Sequence, residues 1–280
     1  DRIESRGLGD VYKRQTQREQ AMRRMAERGA TVVLGVGFAQ ADAISKVAAE
    51  FPDTKFSIID VSWLDAPNLR QYAFKEHEGS YIVGIAAAKA SKTGKVGFVG
   101  GMDIGLIRRF ACGYVGGVKS VNASAEVYQN MTGTTPAAWN DPAKGAELTQ
   151  SQIDRGADVV YHAAGGTGAG VIQAAADAGK LAIGVDSNQN GMAPGSVLTS
   201  MLKRVDVAAY ETFMDVKNGN FSAGVHVLGL AEGGVDWALD ENNASLVTAD
   251  MKAAIESARA DIVSGKVKVH DYFSNESCPY

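Results

Sequence analysis

Several short apolar runs in this chain end on residues suited to holding a ligand. Gly37-Phe38 follows TVVLGV, Asp60 closes FSIID, and Gly100-Gly101-Met102-Asp103 follows KVGFV. Gly165-Gly166-Thr167-Gly168 follows DVVYHAA, and Asp186-Ser187-Asn188 follows LAIGV. A carboxylate in such a place accepts hydrogen bonds from ligand hydroxyls or ring N–H groups. A glycine lets a ligand approach the backbone and frees N–H groups at the next helix start. This is binding chemistry. For bond-making chemistry the searches return nothing: no P-loop, GxSxG, HExxH or CxxC occurs, and GVGFAQADA and GGTGAGV miss the GxGxxG spacing. His77, His162, His226 and His270 are scattered without metal spacing.

Each of these residues also has a plain structural reading. Asp60 and Asp186 can each cap the following turn, although their matching placement in two halves of the chain favours a ligand role. Phe38 taken alone reads as core, and the glycines of GGTGAG serve equally well as turn residues. Lys203 can be the solvated start of a helix, Arg108 and Arg109 surface or ion-pair residues, and His162 a hydrogen-bonded structural residue. Cys112 and Cys278 make neither a disulfide scaffold nor a zinc site. They leave two readings: a buried apolar Cys112, or one bond that staples the polar tail SNESCPY to the helix FACGYVGGVK.

The elements that must position these residues alternate along the chain. Strands are expected over Thr31–Val36, Lys55–Asp60, Lys95–Gly100, Ala125–Asn130, Asp158–Ala163 and Leu181–Asp186. Helical periodicity occupies 17–28, 39–50, 104–120, 143–154 and 167–178. Nearly uninterrupted apolar strands alternating with helices predict an α/β fold with parallel sheets covered on both faces. Glycines end helices directly before strands in ERG-ATVVLGV, DRG-ADVVYHA and DAG-KLAIGV, where a left-handed residue turns the chain back. Three segments break the alternation: 72–82, VLTSMLK at 197–203, and 225–230. Three such connections between two α/β lobes would form a hinge. A closing amphipathic helix is expected over 248–265 behind a Thr cap.

Composition agrees with a folded two-lobe protein. The 280 residues are 45% hydrophobic and 21% charged, with a net charge of −4, which supplies no basic field for nucleic acid. No apolar run approaches the roughly 18 residues of a membrane span.

In order, VGFVGGMDIGLIRRFACGYVGGVKSVN, AAGGTGAGVIQAA, IGVDSNQ, VLTSMLKRVDVA and LGLAEGGVDWAL resemble the basic membrane protein family. These are nucleoside-binding, type 1 periplasmic-binding-protein components of ABC importers. The resemblance runs from about Thr16 to the C-terminus. It implies two Rossmann-like lobes joined by three crossover strands, with a nucleoside, typically a purine one, enclosed between them. Carried over by position, Asp60 and Asp186 hold the ligand's polar edge and Lys203 stands near the ribose hydroxyls. Gly165 and Gly166 flank the ligand, Phe38 and Asp103 face it from loops, and Tyr161 is the second aromatic. Lobe 1 is expected over 16–76 plus 201–228, and lobe 2 over 77–200 plus 229–280.

The resemblance further implies a monomer without cofactor that works with ABC permease subunits, either periplasmic or lipid-anchored outside the cytoplasmic membrane. Residues 1–15 (DRIESRGLGDVYKRQ) resemble adaptor-derived sequence, so the family's first strand and its stacking aromatic are expected to be missing. Asp60, Asp103 and Asp186 together predict an acidic site that favours a neutral nucleoside over a nucleotide. The alternatives are an α/β enzyme acting on a nucleoside or a nicotinamide cofactor, and a module sensing another sugar-like solute.

Overall fold

The computed structural model describes residues 16–280. The expectations about 1–15 and a missing first strand lie outside the described residues. The chain forms two compact units, one of residues up to Phe74 with Val205–Leu228, the other of Lys75–Arg204 with Gly229–Tyr280.

The smaller unit begins with a helix over residues 16–27, α1. It continues through β1 (Val32–Val36), α2 (Ala41–Glu50), β2 (Lys55–Ile59) and β3 (Leu69–Phe74). Much later α7 (Val205–Asn218) and β9 (Gly224–Leu228) complete it. Its four strands are all parallel, in the order β1-β2-β3-β9. Met22 and Ala26 of α1 and Ile44 and Val47 of α2 pack with Val33, Phe56, Ile58 and Leu69 into one core. Across the sheet, Arg70 is 1% exposed yet fully engaged. Its guanidinium donates to Asp215 Oδ2 at 2.7 Å, to the Ser222 carbonyl at 2.9 Å and to the Tyr72 hydroxyl at 3.1 Å. One buried cation thus ties β3 to the late-arriving α7 and the loop before β9, and its donors are satisfied as burial demands.

The larger unit holds α3 (Glu76–Ala90), β4 (Lys95–Met102), α4 (Gly105–Val121), β5 (Glu126–Gly133), α5 (Pro142–Asp154) and β6 (Val159–Ala163). It continues with α6 (Gly168–Asp177), β7 (Leu181–Asp186), β8 (Val197–Lys203), β10 (Val235–Trp237) and α8 (Ala249–Val263). The sheet order is β10-β8-β7-β6-β4-β5, parallel except for β10 on β8. The helix-ending glycines Gly29, Gly156 and Gly179 adopt left-handed φ of 82°, 101° and 63°, which a Cβ would disfavour. The Thr248 hydroxyl caps α8 by accepting the Met251 N–H at 3.1 Å.

The expected lobe boundaries need correction at two points. Met201–Arg204, assigned to the first lobe, belongs with the larger unit, as do Lys75 and Glu76. The physical reason is pairing: VLTSMLK is a strand of the six-stranded sheet, bonded to β7 up to Leu202 and to β10 at Lys203.

Helix α4 carries two contact faces. On one, a Cβ at Gly113 or Gly117 would run into the backbone of His77 or Tyr81, and a Cβ at Gly84 would strike the Tyr114 carbonyl. Only glycine permits this backbone-to-backbone packing of α3 on α4. The other face, at positions 105, 109, 112 and 116, takes the C-terminal tail. The Phe273 ring lies against Gly105, Arg109 forks onto Asp271 at 2.8 and 2.7 Å, and the Tyr280 ring lies against Gly116. Cys112 bonds Cys278 in their midst, with Cα atoms 5.6 Å apart.

A bond that closes a loop of 166 residues restricts the unfolded chain strongly. Reducing it, or making Cys278→Ser, is expected to lower stability by about 2–4 kcal/mol. Urea unfolding with and without reductant measures this; identical midpoints would show that the strap holds by packing alone.

Candidate functional site

Parallel strands bring their carboxyl ends to one edge, and the residues singled out above collect on the edge of each unit's own sheet. On the smaller unit Phe38 follows β1 and Asp60 follows β2. Phe38 is half-buried and packs against that unit's core. Asp60 donates its backbone N–H to the Tyr72 carbonyl at 2.8 Å. On the larger unit, neighbouring strands β8, β7, β6 and β4 end in Lys203, Asp186, Gly165-Gly166 and Asp103.

Asp60 and Asp186 share an uncommon backbone state. Their φ angles are 65° and 62°, and among the described residues only Glu276 joins them as a non-glycine with positive φ. The left-handed region costs an L-residue on the order of 1 kcal/mol or more, and such strain concentrates at functional sites. Aspartate tolerates it better than most residues. The Asp186 side chain is 50% exposed, with Lys203 Nζ at 3.8 Å; the lysine side chain, ammonium included, is 7% exposed.

Two expectations change here. Asp103 is chelated by Arg108, whose Nε and Nη2 donate at 2.7 and 2.8 Å and hold its carboxyl below the usual range. With Asp103 answered by Arg108 and Asp186 facing Lys203, the edge of the larger unit is charge-balanced rather than acidic. Of the two readings open for Arg109, the ion pair holds: it is buried, donating to Glu76 Oε2 at 2.9 Å as well as to Asp271. Tyr161 is core rather than a ligand platform. It is fully buried inside β6, its ring 5.1 Å from that of Tyr114 and 5.5 Å from that of Phe98, its hydroxyl 3.3 Å from Ser80 Oγ. Burial raises its phenol pKa well above the ordinary value.

The aromatic at this edge is Trp139, which the sequence reading passed over. Its indole sits where a Cβ on Gly101 would be and within 3.6 Å of one on Gly165, at the carboxyl ends of β4 and β6. That is where the strand order reverses, the usual ligand crevice of an open α/β sheet. Buried Thr167 stitches the loop in place: its hydroxyl donates to the Ala138 carbonyl at 2.8 Å and accepts the Asp141 N–H at 2.7 Å. Asp141 in turn caps α5 through the Lys144 N–H. A usable signal was present. β5 runs on to Gly133, past the polar Gln129 and Asn130 where the strand was expected to stop, so its carboxyl-end loop contains Trp139.

His162 is fully buried, Nε2 2.9 Å from Gln189 Oε1, and burial lowers its pKa to about 4. His77 falls to about 3, through burial first and the nearby Arg109 second.

The family model described as ABC transporter substrate-binding protein PnrA-like, Bmp, matches residues 2–272. The chain belongs to the Bmp family. Among similar Bmp proteins is the ABC transporter nucleoside-binding protein BmpA of Lactococcus lactis subsp. cremoris. It is 36% identical over 261 residues, spanning 87% of this chain and 72% of that protein. Basic membrane protein D of Borreliella burgdorferi is 31% identical over 252 residues, 88% of this chain and 72% of its own. An ABC transporter solute-binding protein of Aeropyrum pernix K1 shares the fold with a TM-score of 0.79. It is 28% identical, over 91% of this chain and 81% of that one. Bmp proteins are extracytoplasmic substrate-binding components that bind a ligand and work with ABC permease subunits; they are not enzymes. Among the described residues no helix is long and apolar enough to cross a membrane.

The two neutral histidines fix the sign of the acid response. Unfolded histidine titrates near pH 6.5, so below that pH the unfolded state binds protons that the native state refuses. Stability is therefore present above about pH 6.5 and is lost as pH falls toward 4, at about 1.4 kcal/mol per pH unit for each histidine. Urea unfolding at pH 7 and pH 5 checks this, and His162→Gln should flatten the slope by about half. Equal stability at both pH values would show that the histidines are protonated in place.

Proposed function

We propose that this Bmp protein is a receptor for a nucleoside, a purine nucleoside by preference, which it delivers to an ABC permease for import. The observation that carries the reading is the edge of the larger unit, where an indole and a carboxylate–ammonium pair share one set of strand ends. A base offers a flat apolar face for Trp139, and base–aromatic stacking is worth about 1–3 kcal/mol. Ribose hydroxyls donate to Asp186 and accept from Lys203, charge-assisted bonds stronger than neutral ones. A charge-balanced edge suits a ligand without net charge. Asp60, left-handed like Asp186, supplies an acceptor on the smaller unit. The nucleoside-binding relative in Lactococcus supports the same ligand class. The protein then acts outside the cytoplasmic membrane, free in a periplasm or held there by a lipid anchor.

Calorimetry with purine and pyrimidine nucleosides tests this, with chromatography expected to return the nucleoside chemically unchanged. Asp186→Ala and Asp60→Ala should each weaken binding about tenfold or more, the loss of a charge-assisted hydrogen bond worth about 1.5–3 kcal/mol. Trp139→Ala should cost a similar factor and act more on purines than on pyrimidines. Failure of every nucleoside to bind, or full affinity in both aspartate variants, would refute the assignment.

A further inference from the structure

The strands flanking the candidate site do not stay paired to their ends. β6 and β7 pair at Val159↔Leu181, Val160↔Ala182 and Tyr161↔Ile183. The ladder stops there, although β6 runs on to Ala163 and β7 to Asp186. The side chain of Gln189 takes up one of the backbone groups left over and bridges to a side chain of β6. Its Oε1 accepts the Val185 N–H at 2.8 Å and lies 2.9 Å from His162 Nε2. A backbone N–H can only donate, so the inward atom of the amide is the oxygen and His162 donates from Nε2. Gly184 provides the room, since a Cβ there would lie 2.8 Å from both Gln189 Cβ and Oε1.

The backbone of Gln189 is held as firmly. Its N–H donates to Ser200 Oγ at 2.9 Å, and the Ser200 hydroxyl donates to Asn190 Oδ1 at 2.9 Å. Asn188 and Asn190 then both donate to Asp240 Oδ2, at 2.7 and 3.0 Å. Ser200 and Asn190 are completely buried, so the bond between their side chains has no water to exchange with.

We propose that Gln189 is a positioning residue, a wedge between the carboxyl ends of β6 and β7 that holds Asp186 left-handed and at a fixed place. The ligand half of this inference rests on the nucleoside reading above; the wedge itself does not. An amide oxygen that accepts a backbone N–H of β7 and a ring N–H of β6 keeps the two strand ends at a fixed distance, which a flexible loop cannot do. Its effect on a ligand passes through Asp186 alone.

The test uses the whole protein, with Val185 amide exchange followed by NMR and affinity for adenosine, guanosine and inosine measured by calorimetry. Gln189→Leu fills the space but removes the acceptor. It should speed Val185 exchange about tenfold or more and weaken nucleoside binding about tenfold. Gln189→Glu keeps acceptor oxygens and should stay within about threefold of the parent on both readouts. In an Asp186→Ala background, Gln189→Leu should cost less than about threefold in affinity, because its route to the ligand is gone. A merely structural role would give the same loss in either background. Parental Val185 protection in Gln189→Leu overturns the wedge, and an undiminished loss in the Asp186→Ala background overturns the positioning role. If Gln189→Leu does not fold, Gln189→Ala stands in for it with the same readouts. If the parent binds no nucleoside, the functional reading and the ligand half of this inference fail together, and amide exchange alone decides the wedge.

Discussion

The contact between α3 and α4 sets the plan of the larger unit. Gly84, Gly113 and Gly117 bring two helical backbones into direct touch, a separation no side chain would allow. Glycine inside a helix costs about 1 kcal/mol relative to alanine, so three of them are retained because the close approach returns dispersion and coverage along both helices. α3 starts at the chain's first passage between the units, and α4 starts just beyond Asp103. Fixing one helix on the other therefore places the end of β4 relative to Glu76 and Arg109, and leaves the opposite face of α4 free to receive the tail.

The two edges show how candidate binding residues are built from backbone constraint. A strand that ends on a left-handed aspartate exposes a carboxylate without a long flexible stem, and the chain does this at both Asp60 and Asp186. Lys203 is the complement, a charge on an almost wholly buried side chain whose ammonium lies 3.8 Å from Asp186. Little side-chain entropy remains to be lost on binding, which favours affinity.

Much of this was legible in residue order. Apolar runs gave the parallel strands, the glycines of ERG, DRG and DAG gave the helix ends, and placement after a run marked Asp60, Asp186 and the Gly165 turn. The failures have physical causes. Edge strand β5 needs an apolar face on one side only, so Gln129, Asn130 and Thr132 disguised its length and hid Trp139 beyond it. Tyr161 was carried over from the family's second aromatic position, and position alone says nothing about which way a ring points. The pairing of Asp103 with Arg108 turns on a helix start that composition does not reveal, so counting carboxylates overstated the site's acidity. β8 read as a connector since a strand that leads straight into a crossover has the same pattern as one that merely passes through.

The smaller unit is discontinuous in the chain, and that has a consequence for the order of events during synthesis. Its first three strands are made early, but β9 and α7 follow only after about 130 further residues, the span Lys75–Arg204. At roughly 5–20 residues per second that is on the order of ten seconds. Throughout this interval Arg70 lacks Asp215 and Ser222, and the open side of β3 lacks its neighbour. The early segment can pack one face of its sheet with its own helices, but it cannot complete that sheet while the ribosome is still working through the larger unit. A polypeptide that must be threaded through a narrow translocation channel gains from such a delay, because the sheet of its leading part is finished only when the last strand has been made.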